Sequence, residues 1–239
     1  FETARHQPLG TAGGLVVVIM ILAAVFANFV SPYDPEVASW KHQLLPPDAK
    51  FWFGTDAFGR DILTRIIYGS RTALFVGFTA AFVGATSGLI LGVASAYFGG
   101  RFDIIIQRLV DIVMAFPLIV LALAVVATLG AGTVNVIIAI TIPFIPQCAR
   151  VVRSSALAIR EIPYIDAARA LGYGHLRIIM RHMVPNVMAP YLIMLTTFVG
   201  HAILLEASLS YLGMGVQEPT PAWGLMCSPE SLLRISRRG

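Results

Sequence analysis

One stretch of this chain limits its possible folds more than any other, because residues 72–98 contain no charged side chain. A run of about 20 apolar residues is long enough to cross the hydrocarbon core of a bilayer as a helix. The whole chain is 57% hydrophobic and only 13% charged, with a mean hydropathy of +0.78, whereas soluble domains carry about 25% charged residues. The sequence therefore predicts an all-α protein that crosses a membrane several times.

Further apolar runs divide the chain into spans and loops. We expect five transmembrane helices, at residues 11–30, 72–98, 109–129, 134–151 and 187–212. Residues 1–10 form an N-terminal remnant, and residues 72–226 form the core of the protein. Prolines and acidic residues predict an extramembrane loop at 31–71. Within it, helical periodicity from Asp61 to Tyr68 predicts a helix along the membrane surface.

The second span carries a stripe of small residues. Gly84, Gly88, Gly92 and Ala96 recur every four positions, which places them on one helix face where a second backbone can approach closely. We expect this face to pack against a neighbouring helix in this chain or in a partner subunit. A pore-lining face is the alternative.

The third and fourth spans contain the next signals. Residues 99–108 are expected to form a short loop. Arg108 and Asp111 lie three positions apart, so they would share one helix face and form an ion pair at the membrane entrance. Pro117 predicts a kink in the third span. Asn135, near one end of the fourth span, is a weak candidate for the translocation path.

The fifth span contains an acidic side chain, Glu206. Ionisable groups within a membrane are functional by default, because an unpaired charge there is costly. Glu206 could face a cavity of the translocation path, or it could make a hydrogen bond at the end of the helix. His201 is expected to pack against the protein.

A polar segment at residues 152–186 separates the fourth span from the fifth. Residues 164–171 favour a helix, Gly172 and Gly174 supply a turn, and a second helix is expected at residues 175–183. Arginines dominate this region: Arg150, Arg153, Arg160, Arg169, Arg177 and Arg181. Because cytoplasmic loops are enriched in basic residues, we expect the segment and the N-terminus to be cytoplasmic.

The same segment resembles a known motif. Asp166-Ala167-Ala168, followed by Gly172 and then Val184-Pro185, is similar to the EAA loop of the membrane subunits of bacterial ABC importers. The Arg181-His182 pair and Asn186 resemble the branch that imports peptides and nickel. Further matches occur in the family's order: FGTD at 53–56, GRD at 59–61, ASAYFGG at 94–100, RLVDIVMAFP at 108–117, and EASLSYLGMGVQEPTPAWG at 206–224.

The resemblance implies a type I-like ABC-importer permease fold in a bacterial inner membrane. It implies a pair of homologous permease subunits, cytoplasmic ATPase subunits, and an extracytoplasmic binding protein that delivers short peptides, or nickel or its chelates. By resemblance, the residues that couple the chain to an ATPase subunit are Asp166, Ala167, Ala168, Arg169, Gly172 and Pro185.

The sequence departs from the family's pattern at several positions. Asp166 stands where the family has Glu, and His182 and Val184 stand where it has Ile and Leu. The family continues after Gly224 into a sixth span, whereas residues 227–239 of this chain are polar and basic. We therefore expect five spans, with the sixth lost by truncation or frameshift.

Two other classes of function receive less support. An enzyme would need a nucleophile–base pair or a metal cluster, and the sequence has neither GxSxG nor HExxH. It also lacks the phosphate-binding GxxxxGK[ST] motif, so we expect no catalytic residue, cofactor or metal in this chain. A proton-coupled transporter would need several paired acids, and only Asp111 and Glu206 lie in the predicted spans. Basic residues do not alternate with exposed aromatics, which argues against nucleic-acid binding.

Overall fold

The computed structural model of the chain describes residues 8–228, and over this range the chain is helical without β-strands. The predicted atypical tail at 227–239 and the remnant at 1–10 lie mostly outside the described residues. In chain order the α-helices are α1 (Pro8–Val25), α2 (Ala27–Val30), α3 (Ile62–Phe98), α4 (Gly100–Met114), α5 (Leu118–Leu129), α6 (Thr133–Arg160), α7 (Pro163–Ala170), α8 (His175–Ile178), α9 (Met188–Tyr211) and α10 (Trp223–Met226).

Among the described residues, three continuous helices are long and apolar enough to cross a membrane: Ile62–Phe98, Thr133–Arg160 and His175–Tyr211. The pair α4 and α5 makes a fourth if the two together form one bent span, while the apolar part of α1, Gly10–Val25, is shorter. By length and composition, the described chain thus has three to four spans where five were predicted.

Helix α3 begins earlier than expected. The predicted surface helix at 61–68 is wrong as a separate element, because it is the first part of α3, which continues to Phe98. Asp61 explains the start, since its Oδ2 accepts hydrogen bonds from the backbone N–H of Thr64 at 2.9 Å and from the Thr64 hydroxyl at 2.6 Å. An aspartate in this position satisfies backbone donors that a helix N-terminus otherwise leaves free.

The region before the third predicted span is also helical. The expected loop at 99–108 is wrong, because α4 begins at Gly100 directly after α3. Gly99 and Gly100 both have positive φ, 62° and 54°, a conformation that glycine adopts without steric cost. The kink predicted at Pro117 is confirmed, since α4 ends at Met114, α5 begins at Leu118, and the two axes differ by 87°.

Two more helices are longer than predicted. Helix α6 extends to Arg160 instead of ending at 151, and it contains Pro143 and Pro146 without interruption. The second helix of the polar segment, predicted at 175–183, does not end at Met183 but continues into helix α9. From α8 the chain passes through a π-helical turn (Ile179–Met183) and a 3₁₀ turn (Val184–Val187) into α9. Such turns accommodate a proline that cannot donate a backbone hydrogen bond.

The described chain forms two compact units. The first is built from residues 8–75, 131–133 and 206–228, and the second from Val76–Gly130 and Val134–Leu205. In the first unit, charged side chains from two distant motifs meet. The Arg60 guanidinium contacts Asp56 at 2.8 Å and Glu218 at 2.5 Å, and Arg65, 1% exposed, lies 3.6 Å from Glu218 and 3.7 Å from Asp56.

Burial disfavours the charged form of Arg60, but its hydrogen bond to Glu218 and the nearby charge of Asp56 outweigh that effect. Together they raise the pKa of Arg60 above its ordinary value. The four side chains therefore balance one another's charge, as buried ions require.

In the first unit, the segment after α9 packs closely against the start of α3 and the end of α9. The Trp223 indole N–H donates to the carbonyl of Ile66 at 3.0 Å, and a Cβ on Gly69 would lie 2.7 Å from the Trp223 ring. A Cβ on Gly224 would lie 1.9 Å from the carbonyl oxygen of Ala207. Glycine at 69 and 224 thus lets the segment after α9 pack directly on its neighbours.

In the second unit, the stripe of small residues on α3 faces α6. A Cβ on Gly88 would lie 2.5 Å from the Cβ of Cys148, and one on Gly84 would lie 2.8 Å from the Cβ of Phe144. A Cβ on Gly92 would lie 2.6 Å from the carbonyl oxygen of Ala149. The stripe therefore lies against a neighbouring helix of the same chain.

Candidate functional site

The segment between α6 and α9 is built around helix α7, which begins with proline at its first position. It ends in paired backbone hydrogen bonds. The N–H of Gly172 donates to the carbonyl of Arg169 at 2.9 Å, and the N–H of Tyr173 donates to the carbonyl of Ala168 at 3.1 Å. Gly172 has φ +79°. This is the Schellman termination that the glycine predicted.

The two faces of α7 differ in exposure. Ile165 is fully buried and Ala168 is 5% exposed, whereas Ala167 and Ala170 are exposed. Asp166 lies on the exposed side and pairs with Arg169 at 3.1 Å. Ala168 therefore faces the protein, and its role in coupling to an ATPase subunit stays a prediction.

Exposed apolar side chains extend this outer face beyond the helix. Leu171 and Leu176 are each 74% exposed, and Met180 is 59% exposed. Leu171 and Leu176 flank the glycine turn that separates α7 from α8, and Met180 lies in the π-helical turn after α8. We define the coupling face as Ala167, Ala170, Leu171, Leu176 and Met180.

Polar side chains fasten the start of α7 to the helix that follows. The Tyr164 hydroxyl donates to the carbonyl of His182 at 3.3 Å. The Asn186 amide donates to the same carbonyl at 2.6 Å and lies 3.2 Å from the Tyr164 hydroxyl. Asn186, which the resemblance associated with the peptide branch, thus holds this segment together; Pro185 beside it is exposed.

The end of α3 contacts this segment at several points. The Tyr97 hydroxyl lies 2.8 Å from His175 Nδ1, and the Arg169 guanidinium lies 5.4 Å from the centre of the Tyr97 ring. Arg160 Nη1 donates to the carbonyl of Ala96 at 2.8 Å. Sequence reasoning gave Tyr97 no role, although it belongs to the ASAYFGG motif.

Ion pairs connect α4 with α6. Arg153 contacts Asp103 at 2.5 Å, with both side chains largely buried, and the Ser95 hydroxyl donates to the same carboxylate. Asp111 pairs with Arg150 at 2.5 Å. The predicted pair of Asp111 with Arg108 is therefore wrong, because the arginine comes from a neighbouring helix instead of the adjacent turn.

Both weak candidates for the translocation path bond within the chain. The Asn135 amide donates to the carbonyls of Leu129 and Gly130, each at 3.0 Å, so it caps the end of α5. Glu206 is 1% exposed and accepts a hydrogen bond from the Ser210 hydroxyl at 2.7 Å. Glu206 could have faced a cavity or made a hydrogen bond at the end of the helix, and the structure shows the hydrogen bond.

His201 differs from expectation because it is exposed. It shares an exposed strip of α9 with Thr196, Thr197 and Gly200, and a Cβ on Gly200 would meet no atom within 4 Å. Among the described residues, no group of three or more His, Cys, Asp or Glu side chains could hold a metal ion.

Comparisons with known proteins agree with this architecture. Residues 88–230 match the family of the binding-protein-dependent transport system inner membrane component. Residues 3–47 match the N-terminal TM domain of oligopeptide transport permease C.

Individual relatives cover most of the chain. A Brucella abortus protein named as a peptide transport system permease is 46% identical over 220 residues, which are 92% of this chain and 74% of that protein. The glutathione transport system permease protein GsiD of Escherichia coli is 40% identical over 223 residues, or 93% of this chain and 74% of that protein.

The fold is also found among solved structures. An inward-facing structure of the MetNI methionine ABC transporter matches with a TM-score of 0.58 and 20% identity, covering 74% of this chain and 90% of that one. A second crystal form matches with a TM-score of 0.55 and 22% identity, covering 64% and 76%. The chain therefore belongs to the family of inner-membrane components of binding-protein-dependent transport systems, as a permease subunit of an ABC importer.

Proposed function

We propose that this chain is one of two homologous permease subunits that together enclose the solute path of the importer. The N-terminus and residues 152–186 lie in the cytoplasm, and residues 31–71 lie on the outer side. The arginines between Arg150 and Arg181 support this orientation, because basic residues are enriched in cytoplasmic loops. The chain supplies the path and the docking surface, and ATP is hydrolysed by other subunits.

The exposed apolar side chains of the coupling face are the main support for this proposal. Large apolar side chains such as Leu171 and Leu176, each 74% exposed, are costly in water and often mark interaction sites. The neighbouring Ala167 and Ala170 have small side chains, so a partner backbone can approach α7 closely. We propose that this face enters a groove on a cytoplasmic ATPase subunit.

The other residues of the motif lie beneath or beside the coupling face. Ala168 packs α7 on the protein, and Gly172 sets the direction of the turn through its positive φ of 79°. Asp166 and Arg169 pair at 3.1 Å on the exposed side and orient the partner by charge. Pro185 marks the passage from the docking segment into the last span.

We propose short peptides as the solute. The relatives named for peptide and glutathione transport support this choice, since glutathione is itself a short peptide. Nickel or a nickel chelate, the other solute that the resemblance implied, would have to be selected by the binding protein. An extracytoplasmic binding protein delivers the solute to the outer side of the pair of permeases.

The exposed strip of α9 is the part of the path that we assign to this chain. The hydroxyls of Thr196 and Thr197 donate to backbone carbonyls one turn earlier in the helix. His201 is therefore the member of the strip that would be costly against lipid. The exposed side chains of α3 differ, since Phe78, Phe82, Val83 and Ile90 are all apolar. We propose that α3 faces lipid and that the α9 strip faces the water-filled path, in place of Asn135 and Glu206.

Reconstitution in proteoliposomes tests the function. The chain is assembled with its partner permease and ATPase subunits, and uptake of a labelled dipeptide, glutathione and Ni²⁺ is measured with the binding protein present. We expect peptide uptake that requires both ATP and the binding protein. Uptake driven by a pH gradient without ATP would contradict the importer mechanism. Uptake of Ni²⁺ alone would contradict the solute assignment and leave the mechanism intact.

A further inference from the structure

We infer that Tyr97 is a positioning residue that transmits movement of the docked segment to helix α3. The inference rests on the proposed function, because it takes the coupling face as the surface that an ATPase subunit moves. Tyr97 lies one residue before the end of α3 and is 6% exposed. It is therefore held by the protein and contacts the docking segment from within.

Tyr97 contacts both sides of the glycine turn. On one side, the Arg169 guanidinium from the last turn of α7 lies 5.4 Å from the centre of the Tyr97 ring. On the other, Nδ1 of His175, the first residue of α8, lies 2.8 Å from the Tyr97 hydroxyl. The rings of Tyr97 and His175 meet edge to face, with centres 5.6 Å apart.

Two backbone hydrogen bonds close the glycine turn, from the N–H of Gly172 to the carbonyl of Arg169 and from the N–H of Tyr173 to the carbonyl of Ala168. Because Tyr97 touches the helices before and after Gly172, displacement of α7 moves the end of α3 instead of being absorbed in the turn. One aromatic side chain thus makes the turn and α3 move together.

Arg160 makes a second contact with the end of α3, next to that of Tyr97. Arg160 Nη1 donates to the carbonyl of Ala96 at 2.8 Å, which satisfies an acceptor that a helix C-terminus leaves free. The end of α3 is therefore joined to the end of α6 as well as to α7 and α8. From there the stripe of Gly84, Gly88 and Gly92 packs α3 on α6, and close packing of this kind transmits displacement.

The test is the number of solute molecules imported per ATP hydrolysed, measured on the assembled transporter in proteoliposomes. Tyr97→Phe removes only the hydroxyl contact with His175, while Tyr97→Leu also removes the ring beneath Arg169. Phe82→Leu is the matched control, because it removes an aromatic ring from the exposed face of the same helix, where Phe82 is 58% exposed.

We expect Tyr97→Leu to bind the ATPase subunits and hydrolyse ATP, but to import about fivefold fewer molecules per ATP, or fewer still. The import ratio of Tyr97→Phe should lie between those of Tyr97→Leu and the wild type. The import ratio of Phe82→Leu should equal that of the wild type. An unchanged ratio in Tyr97→Leu would overturn the inference. A purely structural role would lower the amount of assembled transporter and leave the ratio unchanged.

A second variant covers failure of Tyr97→Leu to assemble. His175→Gln changes the contact with the Tyr97 hydroxyl from its exposed side and leaves the pair of Asp166 and Arg169 in place. A reduced import ratio in this variant supports the inference, and a wild-type ratio overturns it. If the wild-type chain itself fails to bind ATPase subunits, the proposed function is wrong; a bound, active complex with an unchanged ratio contradicts only the role of Tyr97.

Discussion

Arg60 Nη1 lies 2.5 Å from Glu218 Oε2, although 158 positions separate the two residues in the chain. The pair joins the GRD motif before α3 to the segment after α9. Arg60 is 5% exposed in its side chain and Glu218 is 43% exposed, so the carboxylate neutralises a largely buried cation. Motifs that look unrelated in sequence thus form one charge-balanced cluster.

Removing that carboxylate should destabilise the first unit. Glu218→Gln leaves the guanidinium groups of Arg60 and Arg65 with Asp56 as their remaining acidic partner in the cluster. Loss of a charged hydrogen-bond partner at a largely buried group costs about 1–3 kcal/mol. We expect a lower midpoint of thermal unfolding for the detergent-solubilised protein.

Asp48→Asn is the control for this variant, because it removes one negative charge at an exposed position of the same unit. Its midpoint should stay close to that of the wild type. Equal midpoints for Glu218→Gln and Asp48→Asn would show that the cluster contributes nothing beyond net charge.

The contact between α3 and α6 predicts opposite effects at two glycines. Alanine generally favours a helix over glycine by about 1 kcal/mol. At Gly88, however, the added Cβ would lie 2.5 Å from the Cβ of Cys148, and overpacking costs about 1–3 kcal/mol. Gly88→Ala should therefore lower stability, and Gly88→Leu should lower it further.

Gly200→Ala is the matched control, because a Cβ on Gly200 meets nothing within 4 Å. We expect this variant to be as stable as the wild type or slightly more so, measured by the same thermal assay. If Gly88→Ala is as stable as the wild type, α3 and α6 do not approach each other as closely at Gly88 as the structure shows.

Features that depend on neighbouring residues in the chain were predictable from the sequence. The uncharged run at 72–98 predicted most of helix α3. Pro117 predicted the bend between α4 and α5, and Gly172 predicted the end of α7. The start of α3 differs from the prediction because polar side chains at 61–68 indicate a helix at the membrane surface, although Asp61 is also a suitable helix cap. In the same way, arginines after 151 suggested the end of a span where α6 continues.

Contacts between distant residues were not predictable. Arg108 was expected to pair with Asp111 because it is adjacent on one helix, but Arg150 reaches Asp111 from α6. The inward orientation of Ala168 depends on how α7 is rotated against its neighbours, which the alternation of small residues does not specify. The same limit applies to Tyr97, whose partners lie in α7 and α8.

The assignment of the α9 strip predicts where water reaches the assembled transporter. In a background without cysteine (Cys148→Ala, Cys227→Ser), His201→Cys should react with a charged, membrane-impermeant maleimide, because the strip faces the water-filled path. The measurement is the labelled fraction of the permease in proteoliposomes.

Ile90→Cys is the comparison site, since Ile90 is 62% exposed on the apolar face of α3. It should react slowly, because lipid excludes the charged reagent and keeps the thiol protonated. Failure of the cysteine at 201 to react faster than the cysteine at 90 would contradict a water-filled path along α9.

Cross-linking between α7 and an ATPase subunit tests the central claim most directly. Single cysteines replace Ala167 or Ala168 in the cysteine-free background, and a short bifunctional thiol reagent is added to the assembled, transport-competent complex with cysteines placed along the ATPase groove. We expect a cross-linked product from position 167, which is exposed, and little or none from position 168, which is 5% exposed. A complex that transports its solute but gives no product from position 167 would contradict docking through the coupling face.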